Sequence, residues 1–76
     1  MKNLPALTSK KVIKALKKAG FIEDRQKGSH LILINSSAGK RVVVPIHAGK
    51  TIKKPLLQSM IEDDAGLTLE NFLKLL

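Results

Sequence analysis

Phe21-Ile22-Glu23-Asp24-Arg25-Gln26-Lys27-Gly28-Ser29-His30-Leu31-Ile32-Leu33-Ile34-Asn35 is the stretch on which the fold turns. Phe21 to Gln26 alternates loosely between apolar and polar residues, Lys27-Gly28 reads as a tight turn, and Leu31 to Ile34 is an apolar run of strand length. The stretch therefore predicts a β-hairpin. A sheet with one wet face should alternate cleanly, yet this second strand is apolar on both faces. Something is expected to cover its other side: the C-terminal helix, a second copy of the chain or a protein partner.

Downstream, Ser36-Ser37-Ala38-Gly39 is a turn cluster, and Lys40 to Pro45 predicts a third strand through Val42-Val43-Val44, closed by a proline that cannot donate to a ladder. Upstream, Ser9 is placed to cap a helix of about Lys10 to Ala19, with Val12, Ile13, Leu16 and Ala19 at helical spacing and Gly20 as the stop. Lys11, Lys14 and Lys18 fall on one solvent face of it, flanked by Lys10 and Lys17. Beyond the third strand, Ile46 to Lys53 reads as a loop holding His47, Gly49 and Lys50. Pro55 suits the first turn of a second helix, whose buried face is expected from Leu56, Leu57, Met60, Ile61 and Ala65. Thr68 caps a short last helix with Leu69, Phe72, Leu73 and Leu76 on one side. The order α-β-β-β-α with an appended helix predicts a small α+β fold, one domain over residues 1–76, with a three-stranded antiparallel sheet and helices on one face.

With 76 residues and no cysteine, neither disulfides nor clustered histidines supplement the core, so packing must carry the fold. The lack of cysteine also excludes thiol nucleophiles and thiol redox chemistry and fits a reducing compartment. Met1-Lys2-Asn3-Leu4-Pro5 has no apolar targeting core, and no stretch approaches the roughly 18 apolar residues of a spanning helix. A soluble, cytoplasmic protein without a membrane partner is expected. The net charge is +8, and its placement is uneven: 13 of the 14 Lys and Arg precede Pro55, while 4 of the 6 Asp and Glu follow it. A cationic body of this kind fits a polyanion, because each Lys or Arg set against a phosphate releases counterions.

The inventory of chemical groups is short. Glu62, Asp63 and Asp64 are consecutive on a helix and point different ways, so no metal site is expected from them. They form a solvated acidic end near a helix C-terminus, where the macrodipole disfavours anions and a basic neighbour is expected to compensate. Gly28, Gly39, Gly49 and Gly66 are isolated, so no phosphate loop and no cofactor are expected. His30 follows a glycine turn and opens a strand, which holds its ring on a rigid sheet near solvent. Arg25 and Lys27 lie close in sequence, and cations favour the neutral imidazole, which can take a proton. On RNA that proton is the ribose 2′-OH, with Lys or Arg offsetting the charge that develops on phosphoryl oxygens. The competing reading of His30 is a structural hydrogen bond. His47 is a candidate second acid/base group or an ordinary loop residue, and Ser29 is better suited to bonding the backbone or a phosphate than to nucleophilic attack. The only aromatic residues, Phe21 and Phe72, sit where a core needs them, so recognition should rest on charge and shape rather than base stacking.

The chain resembles the HicA family of small toxins, the ribonuclease half of HicA/HicB toxin-antitoxin pairs. Ser9-Lys10-Lys11-Val12-Ile13-Lys14, Leu16-Lys17-Lys18-Ala19-Gly20-Phe21, Arg25-Gln26-Lys27-Gly28-Ser29-His30 and Val44-Pro45-Ile46-His47 carry the likeness. The resemblance implies a fold like double-stranded-RNA-binding domains, metal-independent cleavage of mRNA with His30 as the catalytic histidine, and a HicB-like antitoxin covering the active surface. RNA contacts are then expected from Arg25, Lys27, Gly28 and Ser29, from Lys10, Lys11, Lys14 and Lys18, and from His47, Lys50, Lys53 and Lys54. One segment departs from the family pattern: where Lys-Lys-Gly-Thr-Leu-Arg is common, this chain has Lys53-Lys54-Pro55-Leu56-Leu57-Gln58, which offers fewer phosphate contacts. A translation-inhibiting endoribonuclease of a type II pair is the leading expectation. The alternative is an attenuated or noncatalytic RNA-binding module of the same fold, and a third reading is an interaction protein that uses the two-faced apolar strand for a partner or for self-association.

Overall fold

The computed structural model describes residues 4–47 and 49–76, and the reading of Met1, Lys2 and Asn3 lies outside them. The chain forms α1 (Ser9–Lys18), β1 (Ile22–Lys27), β2 (His30–Asn35), β3 (Lys40–Pro45), α2 (Lys54–Ser59), which runs into a π-helical segment (Met60–Asp64), and α3 (Leu69–Lys74). The strands lie in the order β1-β2-β3 and both pairs are antiparallel. This is the expected α+β order, in a slab of 33 × 30 × 17 Å.

α1 begins one residue earlier than its sequence predicts. Thr8, not Ser9, is the N-cap: its hydroxyl accepts from the Lys11 N–H at 3.4 Å, while Ser9 is the first helical residue and is buried. The reason is tertiary. Thr8 bridges Thr51, and the Ile52 N–H donates to the Leu7 carbonyl at 2.8 Å, so the chain is held extended through Thr8 and turns helical only after it. Thr8→Ala should lower stability by about 1 kcal/mol in urea unfolding, whereas Ser9→Ala leaves that cap in place. The other end is as expected. Gly20 has φ 104, the Phe21 N–H reaches back to the Leu16 carbonyl at 3.0 Å, and the Gly20 N–H reaches that of Lys17 at 3.1 Å. These two bonds make a Schellman stop, and its apolar pair, Leu16 and Phe21, enters the core.

Side chains alternate across the sheet, so its two faces can be read from the register. Leu31 and Leu33 pair with Val44 and Val42 and point to the helices. There they join Val12 and Leu16 of α1, Leu57 of α2, Met60 and Ile61 of the π segment and Phe72 of α3 in one buried cluster. Each such fully buried side chain contributes about 1.5–3 kcal/mol. The opposite face carries His30, Ile32 and Ile34 from β2 beside Pro45, Val43 and Arg41 from β3.

Among the described residues, no helix covers that second face. α3, one of the expected covers, packs on the helix side, with Phe72 fully buried in the common core. Ile22 is left 60% exposed and Val43 37% exposed. Ile32 is nonetheless buried, although it lies outside the main core. Asp24, Arg25, Lys27 and Arg41 border a hollow with it, and the aliphatic stems of the three basic residues supply shelter that no second layer provides.

Leu56, assigned to a buried face, and Leu76, placed on the apolar side of the last helix, are in fact surface residues. Leu57, Met60 and Ile61 make the buried stripe at helical spacing, which leaves Leu56 at the margin and 47% exposed. Leu76 lies past the end of α3 and is 48% exposed. The π-helical turn had no sequence signal. It shows in the Ala65 N–H bonding the Met60 carbonyl at 2.9 Å, five residues back. Glu62, Asp63 and Asp64 are exposed on it, as expected. The Gln58 amide donates to Glu62 at 2.9 Å and the Ser59 hydroxyl to Asp63 at 3.2 Å, so neutral donors one turn earlier hold two of these carboxylates, and the basic neighbour at this helix end is Lys40, whose side chain lies against Gly66.

Candidate nucleic-acid interface

β1 pairs with β2 as Ile22↔Ile34 and Glu23↔Leu33, then slips at Asp24 and resumes as Arg25↔Ile32, Gln26↔Leu31 and Lys27↔His30. In an unbroken strand Arg25 and Lys27 would share the face of Glu23, which points toward α1 and ion-pairs with Lys17. The extra residue reverses the alternation, so Arg25 and Lys27 stand on the open face with His30. Arg25 donates to Asp24 at 3.1 Å while its side chain stays 62% exposed. A nucleic-acid phosphate can therefore reach it.

The turn itself is built for close approach. Gly28 has φ 56 while Ser29 keeps a negative φ, the arrangement of a type II′ hairpin turn. The Gln26 amide donates to the Gly28 carbonyl at 3.1 Å and closes the turn. On the other side the Ile46 N–H donates to the Ser29 carbonyl at 2.6 Å. That bond makes His30 and Pro45 a non-hydrogen-bonded pair, with Cα atoms about 4.5 Å apart and side chains on one face. The nitrogen of Pro45 then faces away from β2 on an edge strand, where no ladder bond is lost. His30 is thus exposed between Lys27 and Pro45.

Pro45-Ile46-His47 joins the hairpin to the remaining basic elements. Ile46 borders a hollow of about 380 Å³ with Ser9, Lys10, Ile13, Lys14 and Lys17 of α1. Pro45 and His47 border another, of about 290 Å³, with Lys50 and Lys53 among its lining. The expected contact residues Arg25, Lys27, Gly28, Ser29 and His30 therefore form one cluster, which Lys10 and Lys14 adjoin through Ile46, and His47, Lys50 and Lys53 through Pro45. Lys11 and Lys18 are separated from it: with Lys14 they line a groove of about 390 Å³ against Pro5, Leu75 and Leu76. Lys54 is exposed at the first position of α2.

Arg41 was not among the expected contacts, yet it stands on the His30 face beside Arg25 and Lys27. Its signal was available, since Arg41, Val43 and Pro45 alternate with the core residues Val42 and Val44. The resulting surface combines an exposed imidazole with three cations on one rigid sheet. That suits proton transfer at a bound polyanion. Among the described residues, no three His, Asp or Glu side chains gather as metal ligands, and no helix is long and apolar enough to cross a membrane.

No curated protein matches the chain. The family described as "HicA toxin of bacterial toxin-antitoxin" matches residues 9–67, from the first residue of α1 to just past the π segment. That span holds the hairpin, the open sheet face and the Pro45-Ile46-His47 junction, and the family implies an antitoxin as partner. The chain belongs to the HicA toxin family of bacterial toxin-antitoxin systems.

Proposed function

We propose that the chain, acting as one domain over residues 1–76, is an endoribonuclease that cleaves mRNA in the cytoplasm and so inhibits translation, with His30 as general base on the ribose 2′-OH. The observation that carries this reading is the exposed His30 between Lys27 and Pro45, on the sheet face shared with Arg25 and Arg41. His30 takes the 2′-OH proton, O2′ bonds to the adjacent phosphorus, and the P–O5′ bond breaks. The departing O5′ is protonated by the imidazolium or by water. The products are a 2′,3′-cyclic phosphate and a 5′-OH. Lys27 and Arg25 offset the charge on the phosphoryl oxygens, while Arg41, opposite Ile34 and four residues along β2 from His30, is placed for a neighbouring phosphate. No metal or cofactor enters the step.

A HicB-like antitoxin would act by covering this same face. Its apolar strip, with Ile22 60% and Val43 37% exposed, is rimmed by the cations that RNA would need. A partner seated there blocks phosphate contacts and satisfies the second face of β2.

The test uses a short RNA and the DNA of the same sequence, each incubated with the purified chain in EDTA. The RNA should yield fragments ending in 2′,3′-cyclic phosphate and the DNA should survive. RNA bound with strong salt dependence but left uncut would make the chain a noncatalytic binding module. Cleaved DNA would overturn the 2′-OH mechanism.

A further inference from the structure

We infer that the hollow beyond Pro45 is a subsite for one unstacked nucleotide of the RNA, taking its base between Pro45 and Leu56 and its phosphate on Lys50 and Lys53; the inference rests on the RNA reading above. The hollow is about 290 Å³, close to the lower end of small-ligand pockets, and so is sized for a single base rather than a helix face. Its floor is Ile52, a member of the core, and its walls are the half-buried Pro45 and the exposed Leu56. Leu56 is 47% exposed on a helix that buries Leu57 beside it. Around these apolar surfaces stand His47, Lys50, Thr51 and Lys53, all exposed.

A phosphate alone needs no apolar walls, and an apolar peptide gains nothing from lysines at the rim. A nucleotide joins a flat base of low polarity to an anion within one unit, which is the combination this hollow offers. Its location supports the same occupant. Pro45 is both a wall of the hollow and the cross-strand neighbour of His30, with Cα atoms about 4.5 Å apart. A base seated here belongs to a nucleotide next to the phosphodiester that His30 faces. Phe21 and Phe72 are buried and offer no stacking platform. This slot supplies base contact by aliphatic packing, which paired RNA cannot use because its bases are stacked.

The experiment is an amide-resolved NMR titration of the full chain with each of the four nucleoside monophosphates and with ribose 5-phosphate. The nucleotides should shift the Thr51, Ile52, Lys53 and Leu56 amides and bind about five- to tenfold more tightly than ribose 5-phosphate. Leu56→Ala should reduce that preference and Leu56→Glu should remove it, with the spectrum of each variant reporting that it is folded. Equal binding of ribose 5-phosphate, or shifts that avoid these amides, would overturn the subsite. The titration involves no cleavage. A chain that passes it but leaves RNA uncut defeats the nuclease reading alone, and one that cuts RNA but fails it defeats the subsite alone.

Discussion

His30→Ala is expected to slow RNA cleavage by about 10²- to 10⁴-fold, the usual worth of a positioned general base. Its thermal midpoint should stay within about 4 °C of the parent's. The two halves of this expectation have separate causes. His30 is exposed, and its backbone pairing with Lys27 and Pro45 does not involve the imidazole. Removing the ring therefore opens no cavity in the core. What is lost, on the proposed mechanism, is the proton acceptor that the sheet holds on its open face with Lys27, Arg25 and Arg41. RNA binding should persist, since charge carries it. Initial rates of fragment formation, read beside a melting curve, separate the effects. Parent-like cleavage by the variant would remove His30 from the mechanism.

Phe72→Ala carries the largest expected cost to stability, about 3–5 kcal/mol. A chain of this length has a total stability on the order of 4–11 kcal/mol. Phe72 is fully buried in the same cluster as Leu33, Leu57 and Val42, although α3 lies beyond the family match at residues 9–67. The substitution therefore asks whether α3 is part of the folding unit or an accessory to it. Urea unfolding should show a midpoint strongly reduced at an unchanged slope. A midpoint near the parent's would mean that the domain closes without α3.

Much of the candidate site was legible because it depends on local chemistry. A glycine turn, a histidine opening the next strand and lysines at helical spacing all announce themselves within a few residues. The bulge at Asp24 did not. The stretch from Ile22 to Lys27 has no glycine or proline to mark it, and a slip of register exists only between two strands. Without it, Arg25 and Lys27 would be assigned to the helix face. Arg41 was overlooked for a related reason: its relevance comes from the strand it pairs with, not from its neighbours in sequence. The buried face assigned to Leu56 failed because a six-residue helix presents too few turns for periodicity to separate its rim from its stripe.

The amino-acid sequence by itself determined the element order, a hairpin turning at Gly28, the stop at Gly20 and the basic character of the body, because each follows from backbone preferences or charge within a short window; the strand pairing moved the turn from the expected Lys27-Gly28 to Gly28-Ser29. Tertiary structure alone decided which face of the sheet stays open, which cations stand beside His30 and where the Pro45–Leu56 hollow forms. Those features depend on register and on helix placement, which are settled by packing between segments distant in the chain. Gly28-Ser29-His30 could be read as a turn leading into a strand with its histidine near solvent, but only the folded sheet shows that Arg25, Lys27 and Arg41 share its open face.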